Sequence, residues 1–350
     1  MATLIKDLDA PRDDLPMSSS TRSFTIPGKD LMKKHSIAFL GLGLLTLALA
    51  TAVVLAAQTP ASRPLTSDAP LATHAKDVKA HTASALDRVF ESTDYAWPPA
   101  GQRSVPPLIH SQLPDDFADV LEPTERRELF LRVLLPIVLI ENQRLNEQRK
   151  LARWLLKGTL PAAGTPTRNW LKKLARQYRV RGDLNNAAAR KKLLIRLDVV
   201  PPALALAQAA IETGWGSSRF ALEGNSLFGQ WTFGADGGLT PTDRDAEATH
   251  LVASFPDLRT SVRAYMRNLN TSSAYHEFRT ARAAARANGK PLRAYELANN
   301  LHRYSQRGEE YITELRRIIR SPTIASLAQA SLAHSKQTLA VSSVRANHGS

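Results

Sequence analysis

The stretch "AQAAIETGWGSSRFALEGNSLFGQW", Ala207 to Trp231, holds an acid in an unusual place. Val200-Pro201-Pro202 marks a helix start just before it, since proline is tolerated in a first helical turn and not deeper. Leu204, Leu206, Ala207, Ala210 and Ile211 then offer apolar packing positions, and Gly214 suits the left-handed residue that ends a helix. Glu212 therefore falls in the last turn. The macrodipole places partial negative charge there and disfavours a carboxylate by up to about 1 kcal/mol. Burial among Ala, Ile and Trp would disfavour it further, and both effects raise the pKa. A carboxyl that stays protonated near neutral pH can serve as a general acid. Cleavage of a glycosidic bond needs one, because the leaving alkoxide must be protonated as the bond breaks. An ordinary surface glutamate at a helix end is the competing reading, and the local pattern does not decide between them.

The neighbours of Glu212 carry weaker signals. Trp215 and Trp231 could stack on sugar rings, but aromatic side chains also carry core packing, and a place inside a tight turn favours packing for Trp215. Asn225 suits the shaping of a loop, Phe228 suits the core, and Gln230 stands just after the turn. "LFGQWTFG" alternates like a short strand, "GADGGLTP" is turn chemistry, and "THLVASF" can be the return strand of a β-hairpin. The nine histidines are scattered with no His-x-x-x-His pair, so no metal or other cofactor is expected. The chain has no cysteine, which excludes disulfides, a thiolate zinc site and a cysteine nucleophile.

These residues need a sizeable scaffold, and 350 residues at 43% hydrophobic and 22% charged content can build one. The formal charge of +14 favours an anionic partner, either nucleic acid or an anionic polymer of the cell envelope. The uncharged run Ile37 to Ala57 bears on that choice, because about 21 apolar residues suffice to cross a bilayer. Lys29, Lys33 and Lys34 precede it and Arg63 follows, so residues 1–35 are expected to be a disordered cytoplasmic tail. The run at 36–57 reads as an uncleaved signal anchor rather than a cleaved signal peptide, whose apolar core is shorter. The remainder is then exported, which sets nucleic-acid binding aside. Residues 58–104, rich in Pro, Ala, Ser and Thr, read as an extracytoplasmic linker, 105–322 as the globular domain and 323–350 as a mobile tail.

Within the domain, "EPTERRELFLRVLLPIVLIENQRLNEQRKLARWLL" predicts a long helix with a kink at Pro136. Glu141 and Asn142 lie beside its apolar stripe and read as bonded or solvated polar residues. "NWLKKLARQYRV" and "LNNAAARKKLLIRLD" are basic amphipathic segments, either solvated helix faces or an electrostatic anchor on an acidic polymer.

"PPALALAQAAIETGWGSSRFALEGNSLFGQW" closely resembles the bacterial Bax-type glucosaminidases, which belong with the family-73 glycoside hydrolases. Their mark is a catalytic Glu before Gly-Trp-Gly, then Asn-x-Leu-Phe-Gly; both stand here, as "ETGWG" and "GNSLFG". The likeness extends through "LPDDF", "LLPIVLIENQRL", "SVRAYMRNLNTSSAY" and "LHRYSQRGEEYITELRRII", over roughly residues 105–320. The resemblance implies an α+β, predominantly α, lysozyme-like fold with a small β-hairpin beside a sugar-binding groove, here preceded by the single transmembrane helix. It implies hydrolysis of the bond after N-acetylglucosamine in peptidoglycan glycan strands; the expected signal anchor would hold that domain in the periplasm at the inner membrane. Glu212 matches the general acid. The second carboxylate falls on the hairpin among Asp243, Asp245 and Glu247; spacing favours Glu247, although the usual Thr-x-Glu is not reproduced. Tyr304 matches a tyrosine before the last helix, and Tyr275, at the end of "SVRAYMRNLNTSSAY", joins Trp215, Asn225, Gln230 and Trp231 as a candidate sugar contact. A lytic transglycosylase on the same fold and a non-catalytic glycan-binding envelope protein are the alternatives. The first usually carries a Gly-Leu-Met-Gln-type segment where this chain reads "GNSLFGQW".

Overall fold

The computed structural model describes residues 75–99, 105–232, 238–240 and 251–333. In chain order the elements are β1 (Lys76–Val78), α1 (Ala83–Ser92), β2 (Leu108–His110), α2 (Pro123–Lys157), α3 (Pro166–Gln177), α4 (Ala187–Arg196) and α5 (Pro202–Thr213). There follow α6 (Arg219–Gly224), β3 (Trp231–Thr232), β4 (Gly238–Leu239), β5 (Leu251–Ala253), α7 (Leu258–Thr271), α8 (His276–Ala287), α9 (Ala294–Ala298), α10 (Glu309–Ile319) and α11 (Pro322–Ser326). The domain is α+β and mostly helical.

The longest helix, α2, begins at Pro123, and the Glu122 side chain caps it by accepting from the N–H groups of Thr124 and Glu125. It continues through Pro136. Its middle, Leu129 to Leu145, packs against α5 and α7, while α9, α10 and α11 cover α5 from other sides. As a result α5 is apolar nearly all round: Ala203 to Ala207, Ala209 and Ala210 are all buried. A helix so enclosed can expose function only at its ends. Asn142 fixes one of them, exchanging two hydrogen bonds with the backbone of Val200 at 2.7 and 3.0 Å. Glu141 beside it is fully buried and bound by Arg144, Arg259 and Arg263 at 2.6–3.0 Å, tying α2 to α7.

Three expectations change. The described part of the stretch read as a linker is folded: β1 pairs in parallel with β2, and Leu86, Phe90 and Tyr95 are buried, with Thr82 capping α1. The described part of the stretch read as a mobile tail is also packed. Ile324 and Leu327 are fully buried, and Leu332 bridges to Val105. The β-hairpin is one side of a three-stranded antiparallel sheet in the order β3-β5-β4, with Trp231 opposite Val252 and Leu239 opposite the same residue. Among the described residues no helix is long and apolar enough to cross a membrane. The expected cytoplasmic tail (1–35) and anchor (36–57) lie outside the described residues.

Candidate active site

Three consecutive left-handed residues end α5: Gly214 at φ 56°, Trp215 at 61° and Gly216 at 85°. The Trp215 N–H closes the helix on the Ala210 carbonyl at 2.9 Å. Gly216 is needed for space as well as conformation, since a Cβ there would come within 2.7–3.1 Å of Phe117, Phe130 and Leu113. Its N–H donates to the Thr213 hydroxyl at 2.8 Å. The turn is thus pressed into the core, and it fixes the direction in which Glu212, one residue before Thr213, leaves the helix.

Glu212 is half-buried and meets a chain of neutral groups. The Tyr265 hydroxyl donates to Gln208 Oε1 at 2.7 Å, Gln208 Nε2 donates to the Tyr311 oxygen at 3.0 Å, and the Tyr311 hydroxyl donates to Glu212 Oε1 at 3.1 Å. Gln208 lies one helical turn before Glu212 and is completely buried, as are Tyr265 and Tyr311 at 1% exposure. The direction of the chain follows from the amide. With its oxygen taken by Tyr265, the amide offers only its nitrogen to Tyr311, whose own proton is thereby left for Glu212. Ring stacking holds the hydroxyls in place: Phe228 on Tyr265 at 3.8 Å, and Tyr304 on Tyr311 at 5.6 Å.

Burial pushes the Glu212 carboxyl from its ordinary 4.5 up to about 7; the Tyr311 bond and the charge of Arg307 pull the other way. The charge of Glu314 adds to the rise, though that carboxylate is itself paired with Arg307 at 2.8 Å. Burial, reinforced by the Glu212 charge, holds Tyr304 and Tyr311 well above the ordinary range, so both hydroxyls keep their protons. Glu141 is the instructive contrast. Burial alone would raise it too, but Arg263, Arg144 and Arg259 hold it near 2. One buried acid is a fixed anion; the other, Glu212, keeps its proton up to about pH 7.

Of the residues singled out in the sequence, Tyr304 and Tyr275 join this cluster. Their rings meet at 5.9 Å, and the Tyr304 hydroxyl donates to the Phe228 carbonyl at 3.1 Å. Tyr275 is buried. Trp215 packs, its ring edge-on to Phe130 at 6.3 Å with the Arg127 guanidinium 5.3 Å from its centre. Asn225 takes φ 52° at the end of α6 and donates to the Phe255 carbonyl, shaping the loop. Trp231 stands on β3, half-exposed. The Gln230 carbonyl accepts from Ala253 N–H at 2.7 Å, while its side-chain oxygen is buried with no partner among the described residues. Asp243, Asp245 and Glu247 lie outside the described residues. Sequence reasoning missed Gln208, Tyr265 and Tyr311; a glutamine and tyrosines at otherwise apolar helix positions were the available signal. Among the described residues no group of three or more His, Asp or Glu could hold a metal ion.

Comparison with known proteins points the same way. The family described as mannosyl-glycoprotein endo-beta-N-acetylglucosaminidase matches residues 187–323, from α4 to α11. "Protein bax" of Escherichia coli (strain K12) is 31% identical over 190 residues, which cover 54% of this chain and 66% of that protein. No solved structure matches the chain.

Proposed function

Since the chain belongs to the Bax-type glucosaminidase family, we propose that it is a peptidoglycan hydrolase cleaving the bond after N-acetylglucosamine, on a lysozyme-like fold. The observation that carries the reading is the Glu212 carboxyl: raised to about 7, half-exposed, and held by Tyr311. Protonated Glu212 gives its proton to the glycosidic oxygen as the bond to the anomeric carbon breaks, so the departing sugar leaves as an alcohol. The Tyr311 hydroxyl, which donates to Oε1, stabilises the carboxylate that remains and keeps it aimed. Tyr304 acts by position, its ring backing Tyr311 and its hydroxyl tying the "SLFGQW" turn to the cluster. Gln230, whose buried side-chain oxygen has no partner among the described residues, is suited to receive an acetamido N–H. Water is activated by a hairpin carboxylate, with Glu247 the first choice before Asp243 and Asp245. The apolar run at 36–57 anchors the chain in the inner membrane with the enzymatic domain in the periplasm.

Mass spectrometry of the products released from purified sacculi tests this directly. Reducing N-acetylglucosamine ends, absent with Glu212→Gln, are expected. Anhydro ends would instead make the protein a lytic transglycosylase, and no release by a folded wild type would make it a binding protein.

A further inference from the structure

Residues 149–196 hold fourteen lysines and arginines and one acid, Asp183, so 48 residues carry net +13 of the chain's +14. The charge is concentrated again in a cleft of about 790 Å³ where α3 runs into α4, lined by Arg168, Lys172, Arg176, Arg179, Arg181 and Asp183. Asp183 is already engaged, by Arg168 at 3.4 Å and by the Asn185 backbone and side chain at 3.0 and 2.8 Å. Lys172, Arg176, Arg179 and Arg181 are exposed, and none is in an ion pair among the described residues. Arg168 is nine-tenths buried, and its Nε has no hydrogen-bond partner among the described residues. The helix end does not need these cations. The N–H groups of Tyr178, Arg179 and Val180 already meet the last carbonyls of α3, and Arg196 donates to the carbonyls of Tyr178 and Arg179 at 3.0 and 2.9 Å. Left to itself the cluster works against folding by mutual repulsion.

None of the cleft's lining residues bonds to Glu212 or to the tyrosines and glutamine around it. Arg196 precedes Pro202, where α5 begins, and Glu212 lies at the other end of that helix, roughly 15 Å of rise away. The two regions also differ in kind: the groups bonded around Glu212 are neutral tyrosines and a glutamine, suited to a sugar, whereas the cleft offers guanidinium forks suited to carboxylates. Peptidoglycan presents both chemistries on one polymer, neutral sugar rings and peptide side chains that end in carboxylates.

We propose that this cleft is a second, non-catalytic site that holds the carboxylate-bearing peptides of the polymer while the tyrosine-lined end works on the sugar. The proposal rests on the substrate reading above. The test uses the full chain in neutral detergent and the variant Arg176→Glu/Arg179→Glu/Arg181→Glu, all at exposed positions. Co-sedimentation is measured with intact sacculi, with chitin (an uncharged polymer of N-acetylglucosamine) and with anionic phospholipid vesicles, at rising salt. The variant is expected to lose about tenfold or more in sacculus affinity at low salt, a gap that closes as salt rises. Chitin binding and kcat/KM on soluble chitin oligomers should stay unchanged, and the triple lysine variant, which keeps the charge and loses the forks, should bind sacculi more tightly than the triple glutamate variant and less tightly than wild type. Unchanged sacculus binding, an equal loss on chitin, or a loss confined to the lipid vesicles would each overturn the proposal, the last in favour of a membrane surface. A wild type that binds sacculi through the cleft yet cleaves no glycan would instead sink the hydrolase reading.

Discussion

Replacing Glu212 by glutamine should stabilise the protein, and only above a definite pH. In the unfolded chain the carboxyl titrates near its ordinary 4.5; in the folded protein it holds its proton up to about 7. Between those values the native state binds one proton more than the unfolded state. Stability of the wild type therefore falls as pH rises across that window, by about 1.4 kcal/mol per pH unit, and is flat beyond it. The whole displacement corresponds to about 3 kcal/mol, and partial exposure of the side chain trims it to about 1–3 kcal/mol. Glutamine lacks the titration but keeps an oxygen to accept from Tyr311. Urea denaturation of both proteins at pH 4, 5.5, 7 and 8.5 should show curves that coincide at the acid end and diverge above pH 5, with the glutamine variant the more stable. A difference independent of pH, or a wild type more stable at pH 8.5, would refute burial as the cause of the raised pKa. The same substitution should abolish cleavage, so the gain in stability is a measure of the strain held at the reacting group.

Other consequences follow from the same geometry. Because the Tyr311 bond lowers the Glu212 pKa, Tyr311→Phe should move the alkaline limb of the kcat/KM profile upward from about pH 7; a downward shift would contradict the direction of that bond. Gly216→Ala should cost about 2–4 kcal/mol by thermal or urea unfolding, combining left-handed strain with contact against Phe117 and Phe130. Gly289→Ala, also at positive φ but with open space around it, should cost only about 1 kcal/mol and serves as the control. Glu247→Gln should lower kcat by roughly 10²–10⁴-fold with KM little changed, while Asp243→Asn and Asp245→Asn stay within a few fold. Comparable activity in all three would leave water positioned by neutral groups.

Local chemistry was legible in the sequence, and long-range chemistry was not. The start of α5 at Pro202, its left-handed stop at Gly214 and the place of Glu212 between them all depend on backbone preferences that neighbouring residues reveal. The partners of Glu212 come from far along the chain: Gln208 meets Tyr265 across 57 residues and Tyr311 across 103. Nothing near Gln208 says which tyrosine will lie opposite it, so a glutamine among alanines looks like a helix former. The short helix α1 was missed for a related reason. Leu86, Phe90 and Tyr95 are too few to announce a helix within a Pro- and Ala-rich stretch, and their burial against the rest of the domain decides it. Trp215 left both packing and sugar contact open in the sequence; in the left-handed turn its ring lies edge-on to Phe130.

The bridge between Val105 and Leu332 has a topological consequence. The Ala333 N–H donates to the Val105 carbonyl at 2.8 Å, and three residues on, Leu108 lies beside Lys76 in the parallel pair. The first and last described stretches of the domain therefore meet, within roughly 20 Å by strand geometry. A domain whose ends adjoin behaves as a closed loop of chain. It can be spliced as a cassette into an exposed turn of a host protein, or cyclised by a short peptide from residue 333 back to residue 75, without unthreading any of its helices.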